Sequence, residues 1–427
     1  MDPLQPLFDT LLDARTKGFP QDHGPLRLDQ LGAQGWNLFR GDLGSPVAVL
    51  RRDVMAENAR WMMEFLALSG TSLCPHGKTT MAPQLFQRQM DEGAWGITLA
   101  TPQQVQVAFH HGLRRVLLAN ELVDPAALRG LAALMTRDAT LELTVFADSL
   151  AAVARLEAHW DSPRPLPVLV ETGIPGGRCG ARGVAAALAV ARAVRAAANL
   201  HLVGVACYEG IVITQEPDKD RATVCAWLED LVTLARRCEA ENLFEAEEVL
   251  LSAGGSAYFD LVARILSGAA LGKPWRVLLR SGCYLTHDAG HYQRLVALLE
   301  GRLNAAWTPA GHLAPALEVW ARVLSRPEPG LAFLDSGKRD LPGDLGLPRP
   351  ARWVRPGGAL AACPDDWRLT SLYDQHARLE LPLEADLQVG DLVGLAVSHP
   401  CTTFDKWGVV IEVNEAGQVL GAVKTCF

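Results

Sequence analysis

Lys78 stands in the run Pro75-His76-Gly77-Lys78-Thr79, after a short apolar stretch. An amine at such a loop can condense with a carbonyl cofactor. The plain alternative is a surface lysine, the common state of that residue. Arg178 lies in a glycine-rich turn, Gly173 to Gly180, which would hold a fixed cation at the same level. A structural salt bridge would serve that arginine equally well. Ser252-Ala253-Gly254-Gly255-Ser256 puts two glycines between hydroxyl residues ahead of a helical segment. Backbone N–H groups there can approach an anion closely. A Gly-Gly pair is also what any tight turn calls for. Gly282, Cys283 and Tyr284 form a second glycine-containing segment, and Tyr208 and Tyr284 are two of five tyrosines. Either ring also suits ordinary rim packing.

A second group lies far along the chain. His399-Pro400-Cys401 places an imidazole and a thiol two residues apart, on one side of an extended segment. That pair suits zinc, and two protein ligands leave positions open for water or substrate. The competing reading is a buried histidine and a cysteine packed as a small hydrophobe. His287 and His291 have the i,i+4 spacing of a ligand pair, but no His-Glu-x-x-His pattern accompanies them, so they read as surface residues.

These residues need a frame to hold them. Eight apolar runs alternate with helical stretches: 71–75, 96–100, 115–119, 141–147, 168–172, 202–208, 248–252 and 276–281. Such alternation predicts a parallel sheet, and eight units over about 220 residues suit a (β/α)₈ barrel. Barrel chemistry sits at the C-terminal ends of the strands, and phosphate is often held after strands seven and eight. Lys78, Arg178, Tyr208 and the two glycine loops all fall at such ends. A helix over 53–69 precedes the first strand, with Asp53 as expected N-cap and Gly70 as stop. Beyond about 290 the chain becomes rich in Pro and Gly, then in short alternating runs, which predicts a β-rich second domain. The expected division is an N-terminal segment over 1–45 packing on the β-domain, an α/β barrel over 46–290, and the β-domain over 291–427.

Composition narrows the function classes. The 427 residues are 49% hydrophobic and 21% charged, with a net charge of −8, so a large core is expected and non-specific nucleic-acid binding is not. No apolar run approaches the roughly 18 residues of a membrane span. The Met-Asp-Pro start lacks a signal-peptide layout, and the nine cysteines include no C-x-x-C pair. Together these point to a reducing cytoplasm rather than a disulfide scaffold.

Taken together the motifs have a likeness. Pro-His-Gly-Lys78-Thr, residues 92–101, Leu-Leu-Ala-Asn120-Glu121, Thr172-Gly173 with Arg178-Cys-Gly, Ser252–Ser256 and residues 398–405 resemble the D-serine dehydratase and D-threonine aldolase branch of the alanine-racemase-like pyridoxal-phosphate enzymes. The likeness covers roughly 45–290 and 315–415. It implies that Lys78 holds pyridoxal 5'-phosphate as a Schiff base, that Arg178 meets the phenolic oxygen and that Tyr208 lines the ring. It places the phosphate on Ser252, Gly254, Gly255 and Ser256, with Gly282, Cys283 and Tyr284 alongside. It implies a homodimer whose site lies between one barrel and the partner's β-domain, and a lysine base acting on D-amino acids. His399 and Cys401 match the zinc-binding His-x-Cys of the dehydratases, where the aldolases present His-x-Asp. The expected activity is therefore dehydration of D-serine or D-threonine to a 2-oxo acid and ammonia. Retro-aldol cleavage to glycine and an aldehyde, and a non-catalytic pyridoxal-phosphate carrier, are the alternatives. Asp374-Gln375-His376 departs from the relatives' Glu-Glu-His-Gly, and His376 receives no role.

Overall fold

The computed structural model describes residues 2–214 and 216–427. Eight parallel strands form the first unit: Ser72–Leu73, Ile97–Leu99, Arg115–Glu121, Glu142–Ala147, Leu166–Gly173, Leu200–Cys207, Val249–Ala253 and Trp275–Leu279. From the second to the eighth, each pairs with its sequence neighbour, and the eighth pairs with the first. Between the first and second strands the closure is made by a His76–Thr98 bridge and by Thr98 N–H donating to the Pro75 carbonyl at 2.9 Å. All eight strands overlap the runs read from sequence. They are visible as apolar runs because a barrel strand is buried on both faces. Cys74, Leu117, Phe146, Leu169, Ala206, Leu250 and Leu278 fill the interior, while their neighbours Leu73, Leu118, Val145, Val205, Leu251 and Val277 meet the helices outside.

A helix follows every strand, and the sequence marks the starts. Pro83, Pro102, Pro125 and Pro217 stand at first-turn positions, where a missing N–H costs nothing. Thr101, Asp124 and Ser149 accept from first-turn N–H groups as N-caps. The helix Arg52–Ser69 ends at Gly70 with φ +66, as expected, but its N-cap is Arg51. Asp53 lies inside the first turn, its carboxylate accepting from Val54 N–H at 3.1 Å.

The second unit is a ten-stranded sheet around the long strand Leu317–Glu328. One of its strands comes from the far end of the chain. Val47–Arg51, counted with the barrel at the sequence level, pairs antiparallel with Leu317–Trp320 and parallel with Ile411–Val413. The boundary therefore falls at residue 51, not 45. A period-two pattern marks a strand but not its partner. The N-terminal segment covers this sheet through Leu12, Phe19, Leu28, Leu31 and Leu38, packed with Val49, Trp320 and Ile411.

The two units are joined by a buried ion cluster. Glu412, 2% exposed at its side chain, is held by Arg52 at 2.6 Å and by both terminal nitrogens of Arg88. No helix among the described residues is long and apolar enough to cross a membrane.

Candidate active site

Lys78 sits in a single 3₁₀ turn, Gly77–Thr79, at the mouth of the first strand. The turn lies flat on the barrel because residue 77 lacks a side chain: a Cβ there would fall 2.8 Å from the Phe86 ring. Lys78 lines a cavity of about 170 Å³ with Asn120, Glu121, Glu171, Arg178, Tyr208 and Arg280. Burial lowers the pKa of its amine. Cys401 pulls the other way, and the cation of Arg178 lowers it again.

The remaining expected residues separate into two sets. Arg178 is at the mouth, its guanidinium 4.6 Å above the Tyr208 ring, and it pairs with no carboxylate among the described residues. Burial and then Glu209 push the Tyr208 phenol up to about 12, so it stays neutral. Tyr208 in turn dictates Gly255, where a Cβ would stand 2.9 Å from its ring. Gly282 is equally constrained, since a Cβ would meet the His76 carbonyl at 2.4 Å. The loops after strands one, six, seven and eight are thus in contact.

Three details differ from the expected cradle. The N–H groups of Gly254 and Gly255 donate to the wholly buried Glu209 carboxylate, at 3.1 and 2.8 Å. Ser252 is buried inside the barrel, donating to the Leu278 carbonyl and accepting from Arg280 at 2.7 Å. Tyr284 points into the core, where its hydroxyl accepts from Gln89. Among the described residues no acceptor takes the N–H groups of Ser256, Gly282 and Cys283, and the same is true of Ala257, Tyr258, Ser281 and Tyr284 in these two loops. Glu209 thus holds the seventh loop through Gly254 and Gly255. An anionic ring cofactor fits this ground: open N–H groups, an unpaired Arg178, and the buried Arg280, whose donors go to Ser252 and the Cys207 carbonyl rather than to a carboxylate. Sequence reasoning passed over Arg280, although it directly precedes the Ser281-Gly282 loop.

The metal pair reaches the same mouth within one chain. Cys401 Sγ lies 3.4 Å from Thr79 Oγ1, next to Lys78, so no second copy is needed to bring it there. The 398–405 segment folds over the barrel of its own chain. Cys401 Sγ is also 3.9 Å from Cys283 Sγ. Contact with Cys283 and then with His399 draws the Cys401 thiol well below its ordinary value, against the pull of burial. His399 holds its Nδ1 2.6 Å from Asp344, which also accepts from the Thr402 hydroxyl at 2.9 Å. Burial alone would lower the His399 pKa, but Cys401 and Asp344 raise it to about 9. A carboxylate on Nδ1 orients an imidazole and leaves Nε2 for a metal, so the donor set fits a thiophilic divalent ion. Asp344 sits in a Pro- and Gly-rich loop that gave no sign of this role. Tyr292 was missed too; its ring lies 6.5 Å from that of His399.

His287 is not a surface residue. It is 1% exposed, holds a φ of +48 and has its Nε2 buried without a partner. His376 belongs to the turn between strands Arg368–Leu372 and Ala377–Glu380.

Residues 316–413 match the family described as a putative serine dehydratase domain. The chain is 26% identical to the D-threonine aldolase of Arthrobacter sp. over 375 residues, 87% of this chain and 89% of that one. It is 27% identical to the D-threo-3-hydroxyaspartate dehydratase of Delftia sp. over 408 residues, 90% and 96% of the two chains. Among solved structures, the D-threonine aldolase of Filomicrobium marinum superposes with a TM-score of 0.77 at 26% identity, covering 94% of this chain and 98% of the other. The fold is that of the alanine-racemase-like proteins, shared with one from Idiomarina loihiensis at a TM-score of 0.67 and 18% identity over 89% and 96% of the chains. The Arthrobacter, Delftia and Filomicrobium proteins are named as an aldolase or a dehydratase of a D-amino acid.

Proposed function

We propose that the protein dehydrates and deaminates a D-3-hydroxy amino acid, D-serine or D-threonine, to a 2-oxo acid and ammonia, using pyridoxal 5'-phosphate and zinc. The observation that carries this reading is the meeting of Cys401 with Thr79 at 3.4 Å, which sets the thiol–imidazole pair beside Lys78.

Pyridoxal phosphate, when bound, supplies an electron sink that acidifies the Cα–H of an attached amino acid. Zinc, held by His399 and Cys401, would supply Lewis acidity that eases departure of a β-hydroxyl. The chain provides the rest. Burial keeps more of the Lys78 amine neutral than in water, as a nucleophile must be, and Nζ is then the base that takes the Cα proton. Arg178 offers its cation to a phenolate, and Tyr208 supports that guanidinium from below. Ser256, Gly282 and Cys283 offer backbone N–H groups to a phosphate. Asp344 holds His399 in the tautomer that can ligate. A homodimer in the cytoplasm completes the reading, and sedimentation at twice the chain mass would support the dimer.

Retro-aldol cleavage is the second reading, favoured by the likeness to D-threonine aldolases. Product analysis separates the two. Ammonia and a 2-oxo acid from D-serine and D-threonine but not their L forms, lost on chelation and restored by zinc, support dehydration. Glycine with an aldehyde from D-threonine would replace it with the aldolase reading.

A further inference from the structure

Two protein ligands make a sparse metal site, and the barrel offers a third. The Sγ atoms of Cys283 and Cys401 lie 3.9 Å apart. Two thiolates bound at about 2.3 Å to a tetrahedral zinc stand roughly 3.8 Å from one another. The spacing is therefore already that of two ligands on one ion. Cys283 is 4% exposed, yet its sulfur is not packed as a hydrophobe: its polar neighbours are Cys401 and the Thr79 hydroxyl, the latter at 3.7 Å. Thr79 bridges both sulfurs and fixes them relative to the Lys78 turn. Cys283 comes from the loop after the eighth barrel strand, while His399 and Cys401 come from the β-domain.

We propose that Cys283 is a metal ligand, completing a Cys283–Cys401–His399 zinc site that spans both units and leaves the fourth position open to substrate. The proposal rests on the zinc reading above and extends it to a residue whose backbone belongs to the expected phosphate loop. Two sulfurs, one imidazole and an open position form a recognised set for catalytic zinc. Among the described residues the three donors do not all lie within 4.8 Å of one another as they stand. With the sulfurs already together, the imidazole is the donor that metal entry draws inward. Because the ligands come from two units, the ion also ties the β-domain segment to the barrel mouth.

The test uses the full-length purified protein. Zinc content by elemental analysis and zinc K-edge absorption on the unmodified protein come first, since they need no substitution. One zinc per chain with two sulfurs near 2.3 Å is the expected result. One zinc with a single sulfur overturns the role of Cys283 while leaving the zinc reading intact. No stoichiometric zinc overturns both. Cobalt substitution then assigns the sulfurs. Cys283→Ser and Cys401→Ser should each lose about half of the thiolate-to-cobalt charge-transfer absorbance. Each should also release zinc to a chelator about tenfold faster or more. An undiminished band and unchanged zinc retention in Cys283→Ser would overturn the proposal.

Discussion

Two buried carboxylates, Glu412 and Glu171, lie in different parts of the molecule and are treated in opposite ways. Glu412 joins the barrel to the β-domain and is fully paired: Arg52 and Arg88 hold its pKa below the ordinary value although burial pushes the other way. Glu171, 6% exposed at the barrel mouth, forms no salt bridge among the described residues, although Arg280 and Arg178 act on it from a distance. Burial, and then the neighbouring Glu121, raise it to about 8. One Glu121 oxygen is itself buried without a partner. The same contrast runs through the cations, since Arg52 and Arg88 are paired while Lys78 and Arg178 pair with no carboxylate among the described residues. Where charge is satisfied within the chain it serves the fold. Where charge is left open, the site awaits something the chain does not contain.

The sharpest way to break this contrast is Lys78→Ala. Turnover should fall on the order of 10³-fold or more, with loss of the bound cofactor's visible absorbance and little change in urea denaturation. Glu412→Ala should do the reverse. It removes the charge-assisted bonds of two half-exposed arginines, at a cost of about 2 kcal/mol, read as a lower urea midpoint with activity per folded molecule retained.

Glu171→Gln tests the open carboxylate by pH. Its folded pKa lies above the ordinary 4.5, so between 4.5 and about 8 the folded state keeps a proton that the unfolded state has released. Stability from this group is complete below that window and declines as pH rises through it, at up to ~1.4 kcal/mol per pH unit. The glutamine variant should flatten that decline; parallel melting curves from pH 5 to 8 would refute it. Arg178→Met should weaken cofactor affinity by about tenfold, or ~1.4 kcal/mol, in an apoenzyme titration. Smallest of all, Arg192→Ala removes an exposed pair with Glu241 and should leave the urea midpoint unchanged within error.

The barrel was legible because double burial writes each strand as an apolar run, and because Pro and cap residues mark the helix starts. Lys78, Arg178 and the glycine loops could be placed once strand ends were known. Asp344 and Tyr292 could not, since their partners lie far away in sequence and their own neighbours carry no pattern; Arg280 stood next to a recognised glycine loop and was passed over. His287 was misjudged because i,i+4 spacing says nothing about depth. Tyr284 and Ser252 were located correctly along the chain, but a strand end cannot say which way a side chain turns.

The strand Val47–Arg51 has a consequence for how the molecule is made. It lies between Leu317–Trp320 and Ile411–Val413, so the β-domain's sheet lacks a member until the ribosome has delivered both. The barrel can form as its strands emerge, each beside its predecessor. The 398–405 segment can settle over Lys78 only afterwards, which makes the site one of the last parts of a newly made chain to assemble. The stretch 316–413, expressed by itself, would carry an unpaired edge where residues 47–51 belong, and should aggregate rather than fold.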